Sequence, residues 1–343
     1  MNAKRGKFIA TFAALALALT ACSAGGGGTD TDSTGEGAGG KKMRLALNQT
    51  EEHPSYIALK AFGERLDKAT SGKWNIEVFP NETLGAQQEA LQMVSNGSVD
   101  MAIVSGTQLE NLNKDFLVLN MPGAFDNIEK QMKILKDQEL LGDLYASLET
   151  EQKITVLGGF TQGERSVYTV KAPAKTPADL AGVKLRVQES DLHLAMAAAL
   201  GAQGTPMAYG EVYSGLQSGV IGAAENNEVS YYTVKHFEVA KYYNLTKHLV
   251  GTDYLIINTD TLKTMSAEDR ATFDKEWLAT VDEHTNLWGT KTKEAIDKVT
   301  AGGAEMVEVD AAAFKEALAP LADKFLTEAS QKKLWETLRD AQK

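Results

Sequence analysis

Lys73-Trp-Asn-Ile-Glu-Val-Phe79, Gln87-Gln-Glu-Ala-Leu-Gln-Met-Val-Ser95 and Val99-Asp-Met-Ala-Ile-Val104 decide the fold class. In the first, Trp74, Ile76 and Val78 alternate with Asn75 and Glu77, the period of a strand. The second has the length and spacing of a helix and runs into Asn96-Gly97, a stop signal. The third is a compact apolar run suited to a buried parallel strand. Working outward, Met43-Arg-Leu-Ala-Leu-Asn48 is another short strand, and Pro54 to Thr70 carries Ile57, Ala61, Phe62, Leu66 and Ala69 at helical spacing. A βαβαβ pattern in about sixty residues is the signature of an α/β layer fold.

A second unit follows. Ile154 to Phe160 and Arg165 to Val170 read as two strands, Val183 to Val187 as a third, and Val220 to Ala224 as a fourth. Ser190 is a suitable N-cap for a helix from Asp191 to Leu200, with Gly201 as its stop. Val212 to Ser218 is a further helical piece, and Tyr254 to Asn258 a strand returning to the first unit. From Ser266 to Thr300, Phe273, Trp277, Val281, His284 and Trp288 fall on one face of a long helix, opened by Ser266 with Asp269 three residues on. Some 35 residues of helix span roughly 50 Å, longer than one small domain. Two α/β lobes that exchange strands are expected: residues 43–163 with about 252–290 in lobe I, and 164–251 with about 291–343 in lobe II. A cleft between such lobes is a usual place for a ligand.

The N-terminus has a different character. Lys4, Arg5 and Lys7 precede the apolar run Phe8 to Leu19, which is short for a membrane span. Residues 1–21 are expected to be a signal peptide. Leu19-Thr20-Ala21-Cys22 resembles a bacterial lipobox, which makes Cys22 the expected lipidation site. The alternative is a core cysteine after an apolar helix. The Gly/Ser/Thr/Asp-rich chain that follows has no large apolar residue to bury, and residues 22–42 are expected to form a flexible tether. Cys22 is the only cysteine, so a lipidated Cys22 leaves no thiol for disulfides, nucleophiles or metal ligation. The formal charge is −11, and removing the three leader cations makes it −14. Such acidity argues against nucleic acid as a partner.

No Gly-x-Ser-x-Gly elbow, His-Glu-x-x-His pair or P-loop is present, and the five histidines are scattered without ligand spacing. Gly25 to Gly28 leads into the tether and not into a helix, so a dinucleotide site fails. No cofactor and no metal are expected, and no constellation asks for an enzyme. The placement of cations is more informative. Arg186 sits on the polar face of Val183 to Val187, where it either meets solvent or faces a cleft. In a cleft, a guanidinium can give a carboxylate two parallel hydrogen bonds and stays charged when desolvated. Arg165 follows Gly-Gly-Phe-Thr-Gln-Gly-Glu. Asn226 and Asn227 follow a short apolar strand, either as amide donors to a ligand or as turn caps.

Three stretches then identify a resemblance: Thr176-Pro-Ala-Asp-Leu-Ala-Gly-Val-Lys-Leu-Arg-Val-Gln-Glu-Ser190, Leu200-Gly-Ala-Gln-Gly-Thr-Pro-Met-Ala-Tyr-Gly-Glu-Val-Tyr-Ser-Gly-Leu-Gln-Ser-Gly219, and Ala224-Glu-Asn-Asn227. With Phe79-Pro-Asn-Glu-Thr-Leu-Gly85 and Val94-Ser-Asn-Gly-Ser-Val-Asp-Met101, they resemble the DctP-type substrate-binding proteins of tripartite ATP-independent periplasmic (TRAP) transporters. The likeness runs from about Leu45 to Asn258. It implies a two-lobed, periplasmic-binding-protein-like fold that closes on a small organic acid and hands it to membrane permease subunits driven by an ion gradient. Carried over by position, Arg186 matches the arginine that pairs with the ligand carboxylate. Arg165 matches a second arginine that contacts or supports it, and Asn226 an asparagine beside it. Asn48, Glu189 and Tyr209 match wall positions. Ser105 and Gln108 stand where sialic-acid-binding relatives use charged groups, which argues against sialic acid.

Arg-Val-Gln-Glu-Ser with Ala-Glu-Asn-Asn resembles members that bind glucuronate or galacturonate. Gln188, Glu189, Asn227 and Tyr209 offer hydroxyl partners and a stacking face for a sugar ring, although Gln188 and Asn227 read equally well as solvent-facing. A C4-dicarboxylate or keto acid, or a ligand-sensing accessory role, are the alternatives. A monomer anchored to the outer side of the membrane is expected.

Overall fold

Along the first strand, β1 (Lys41–Ala46), Met43 and Leu45 are buried while Arg44 faces out, the two-residue alternation of a half-buried strand. The computed structural model describes residues 40–343. The expected signal peptide, Cys22 and most of the tether lie outside them. The tether reading corrects at its end: Lys41 and Lys42 already pair with Trp74 and Asn75.

β1 lies between β2 (Trp74–Phe79) and β3 (Met101–Ser105), parallel to both. The crossovers are helices Pro54–Ala69 and Gln87–Asn96. The first has proline at its start and a His53 ring nitrogen accepting the Ser55 N–H. The second ends on Gly97, left-handed at φ 78°. β3 is buried at every residue, as a strand covered on both faces should be.

β4 (Ile154–Thr169), β5 (Lys184–Val187), β6 (Gln203–Pro206), β7 (Ala223–Asn226), β8 (Tyr242–Asn258) and β9 (Glu305–Val307) complete the sheet. Its order is β2-β1-β3-β8-β4-β7-β5-β6, with β9 on β8. The two strands expected at 154–160 and 165–170 are one. β4 and β8 run antiparallel past each other: the start of β4 and the end of β8 lie with β3, the rest with β7 and β9. These two strands are the exchange between lobes. They pass irregularly, with shifts between Val156 and Gly158, between Thr161 and Glu164 and between Arg165 and Val167. The bulges explain why β8 read only as Tyr254–Asn258: its first half loses strict alternation where Leu245 to His248 loop out of register. β7 also begins later than expected, at Ala223, and extends to Asn226.

The long helix is Ala267–Ala301, capped by Ser266, whose hydroxyl accepts from the Asp269 N–H. Its first half packs on helix Pro54–Ala69 and its second on helix Glu228–Thr233, so it spans both lobes. Arg65 ties the first half down, donating to Glu276 (3.2 Å), Thr280 (2.6 Å) and Glu283 (2.6 Å). Trp277 Nε1 donates to the Leu157 carbonyl at 2.9 Å, beside the first shift in β4.

Packing at the C-terminus is divided between the two units. Helices Ala311–Leu318 and Pro320–Phe325 pack on helix Asp191–Ala199 of the second unit. Helix Ala329–Asp340 returns to the first: Ser330 donates to Asp115, Gln331 to the Lys114 carbonyl and Arg339 to the Gly123 carbonyl. Among the described residues no helix is long and apolar enough to cross a membrane.

Gly163 sits in the β4 bulge at φ 66°, and a Cβ there would come 2.5 Å from Trp288 Nε1. Gly163→Ala is therefore expected to lower unfolding free energy by on the order of 1–3 kcal/mol, read by urea denaturation. An unchanged midpoint would show that the bulge can relax around a methyl group.

Candidate ligand-binding site

Strand ends and one bulge converge on a cavity between the lobes. β1 delivers Asn48 and Gln49, the turn after β2 delivers Glu82, and the short helix Gly106–Glu110 delivers Thr107 and Gln108. From β4 come Gln162 and Arg165, from β5 Arg186, Gln188 and Glu189, from β7 Asn226, and from β8 Asp253. Met207 and Tyr209 close the side. Ligands commonly sit at the carboxyl ends of strands in open α/β sheets.

Of the expected residues, Asn48, Gln108, Arg165, Arg186, Gln188, Glu189, Tyr209 and Asn226 line this cavity. Two do not. Asn227 caps helix Glu228–Thr233, its side chain accepting from the Ser230 N–H at 2.8 Å and donating to Asn226 Oδ1 at 3.1 Å. The cap explains its position: the helix needs an acceptor there. Ser105 stands behind the wall and donates to Gln188 Oε1 at 2.6 Å. Glu189 lies at the rim with an exposed side chain, and its backbone carbonyl accepts from Asn111.

The two arginines differ in kind. Arg165 is 1 % exposed. Its Nε donates to Glu225 Oε2 (2.6 Å) and its Nη2 to Glu225 Oε1 (2.7 Å) and the Glu225 carbonyl (3.0 Å). Its Nη1 donates to Gln162 Oε1 and to Asn226 Oδ1 (2.9 Å). A guanidinium has five N–H donors, and all five are used. Arg186 is 4 % exposed, and its only acceptor is the Met207 carbonyl, reached by Nε at 3.0 Å and Nη2 at 2.7 Å. Three donors remain, and among the described residues it makes no ion pair. Burial pulls its pKa down, with Glu225 opposing through space.

Arg165 also orients its neighbours. A guanidinium only donates, so Asn226 must present its oxygen to Arg165, which turns its NH2 toward the cavity. Gln162 accepts from Arg165 and donates to Asp253 in the same way. Glu225 anchors the chain from behind. Its carboxyl is raised by burial, but Arg165 and the imidazole of His248 outweigh that and hold it well below the usual carboxylate range. Asp253 has no such full compensation, and burial pushes it up to about 6.

Hydrogen bonds also cross the cleft. Ser105 and Thr107 donate to Gln188 Oε1, Ser190 donates to Glu110, the Gly210 N–H donates to Glu82 and Tyr209 to Gln49. Glu82, Asp253, Gln162 and Glu225 were not singled out as site residues from the sequence. Glu82 and Glu225 lie inside quoted motifs, but nothing in their spacing marks them as buried.

Residues 45–329 match the family model described as bacterial extracellular solute-binding protein, family 7. Among curated proteins, a solute-binding protein of Chromohalobacter salexigens is 32 % identical over 292 residues, 84 % of this chain and 86 % of that one. The 2,3-diketo-L-gulonate-binding periplasmic protein of Escherichia coli is 30 % identical, over 81 % of this chain and 84 % of its own. Among solved structures, a TRAP periplasmic solute-binding protein from Bradyrhizobium sp. BTAi1, in complex with D-galacturonate, is similar at TM-score 0.84 and 34 % identity, covering 88 % of this chain and 100 % of that one. One from Anaerococcus prevotii with bound D-glucuronate gives 0.85 and 31 %, covering 88 % and 97 %.

Glu225→Gln breaks the buried pair and leaves Arg165 charged without a counter-ion. The expected loss is about 3–5 kcal/mol of unfolding free energy, measured by chemical denaturation; a loss below 1 kcal/mol would contradict the pairing. Burial also lowers His193, beside Glu225, from 6.5 to about 4. The folded state thus favours the neutral ring, a contribution fully present above pH 6.5 and lost as pH falls toward 4. The wild type should lose more thermal stability between pH 7 and pH 5 than His193→Gln does, and equal losses would refute the assignment.

Proposed function

The chain belongs to family 7 of the bacterial extracellular solute-binding proteins, and on that premise we propose that it captures a sugar acid by its carboxylate and delivers it to a TRAP permease. The ligand is a hexuronate such as glucuronate or galacturonate. The observation that carries this reading is the contrast between the arginines: Arg165 has no donor left, while buried Arg186 keeps three. A carboxylate accepts two parallel hydrogen bonds from such a fork. The NH2 of Asn226 lies alongside as a further donor. Arg165 is thereby a positioning residue, and the hexuronates bound by the similar solved structures support the choice of ligand.

A C4-dicarboxylate would need a second free cation. The charged side chains lining the cavity besides the two arginines are Glu82, Glu189 and Asp253, all acids. That disfavours a dicarboxylate. The protein performs no chemistry on its ligand in this reading.

The lobe boundaries we adopt are 163/164 and 251/252, where β4 and β8 shift register, with the last helix assigned to lobe I. Ligand bound to Arg186 favours the closed arrangement because donors of one lobe and acceptors of the other then reach it together. We place the protein outside the cytoplasmic membrane as a monomer, anchored through lipidated Cys22, with small acid and permease subunits as its partners.

Arg186→Lys keeps the charge and loses the fork. Titration calorimetry with galacturonate and glucuronate should show affinity weakened on the order of 10–100-fold, with the melting temperature of the free protein little changed. Undiminished affinity would remove Arg186 from its assigned role.

A further inference from the structure

The wall facing Arg186 is as informative as Arg186 itself. Glu82 follows Pro80 in the turn after β2. Asn81 and Glu82 both have left-handed backbone, at φ 58° and 55°, where side-chain-bearing residues are uncommon. Two such residues in succession persist only where their surroundings hold them. Here the Asn81 N–H donates to the Gln49 carbonyl (3.0 Å) and the Glu82 N–H to the Leu47 carbonyl (3.1 Å), so the turn is stitched to the end of β1.

The effect of this conformation is to aim a carboxylate into the cleft. Glu82 Oε2 accepts from the Gly210 N–H at 3.1 Å, across the cavity. A Cβ at position 210 would lie 2.5 Å from that oxygen, so the close approach depends on glycine. The other oxygen, Oε1, is buried and has no partner. Asn48 Oδ1, on the same wall, is likewise buried and unpartnered. Arg186 acts on Glu82 through space, but among the described residues the two make no ion pair. Burial raises the Glu82 carboxyl, more than the Gly210 bond and Arg186 offset. A buried acceptor without a donor is costly, which points to a ligand that supplies one.

Resting on the sugar-acid reading above, we propose that Glu82 is the specificity-determining residue of this site: it accepts hydrogen bonds from hydroxyls at the end of the ligand remote from the carboxylate, and its charge excludes a second carboxylate there. The cleft is thus polar in one sense. Lobe II offers donors, through Arg186 and Asn226. Lobe I offers acceptors, through Glu82, Asn48 and Asp253. A ligand with an anionic group at one end and hydroxyls at the other fits in one orientation. A dicarboxylate of the same carbon skeleton sets like charge against like charge in a desolvated space.

The test is the affinity of the wild type and of Glu82→Gln for galacturonate and for galactarate, which differs by a carboxylate at the remote end. Competition calorimetry gives both constants. Any penalty from the open chain of galactarate is common to the two proteins and cancels in the change of their ratio, which reads what Glu82 contributes through its hydrogen bonds and its charge together; a rise in galactarate affinity itself in Glu82→Gln reads the charge. The wild type should prefer galacturonate by about 100-fold or more. Glu82→Gln should bind galacturonate about tenfold or more weakly and narrow that preference at least as much. A thermal melt of each free protein controls for folding, and Glu82→Ala, which cannot accept at all, should bind galacturonate more weakly than Glu82→Gln. Galacturonate affinity within twofold of wild type in Glu82→Gln, or an unchanged ratio, overturns the proposal and leaves the role of Arg186 standing. A wild type that binds neither galacturonate nor glucuronate overturns the sugar-acid reading and this proposal together.

Discussion

Arg165 and Glu225 face each other out of solvent, and the rest of the cleft is arranged around that contact. Burying two charges is expensive, and a buried pair is seldom a net source of stability. Its value here is geometric. The Glu225 carboxylate takes Nε and Nη2, so Nη1 is left to fix Gln162 and Asn226. Those amides can then take only one orientation each. Asn226 shows its NH2 to the cavity, and Gln162 turns its NH2 to Asp253. His193 and His248 stand 3.9 Å and 3.6 Å from Glu225 and complete its surroundings. Preorganised groups of this kind lower the cost of ordering a site when ligand arrives.

The pair also resolves an apparent excess. Two buried arginines in one cleft repel each other unless one is neutralised. Glu225 neutralises Arg165 and acts on Arg186 only through space. The cleft therefore holds one cation with free donors, in a chain whose formal charge is −11. The acids that line the opposite wall act on it through space and, among the described residues, make no ion pair with it, so its free donors stay unoccupied. Acids of one wall thus stand across the cleft from the cation of the other, and bonds such as Ser105 and Thr107 to Gln188 join the two walls.

The sequence was most legible where local periodicity and tertiary environment agree. The helix Gln87–Asn96, the strand Trp74–Phe79 and the long helix Ala267–Ala301 appear within a residue or two of their expected ends, because caps such as Ser266 and stops such as Gly97 are local. β4 and β8 were divided or half missed because bulges break their alternation. The family resemblance brought Arg186, Arg165 and Asn226 to one site, which spacing alone left open: Arg186 on its strand reads equally well as solvated. Glu82 was invisible for a physical reason. Its left-handed backbone and its burial against Gly210 are long-range consequences of the fold, and a glutamate after Pro-Asn reads as an ordinary turn. Asn226 and Asn227 read alike as amide donors or as caps, and the structure gives one role to each: Asn226 lines the cavity and Asn227 caps a helix.

The most direct measurement is a crystal structure with galacturonate bound. The carboxylate is expected on the free Nη donors of Arg186 at about 2.8 Å, with the Arg165–Glu225 pair intact behind it and the ring hydroxyls toward Glu82. A ligand whose carboxylate sits on Arg165 with the Glu225 pair broken, or one turned with its hydroxyls on Arg186, would contradict it.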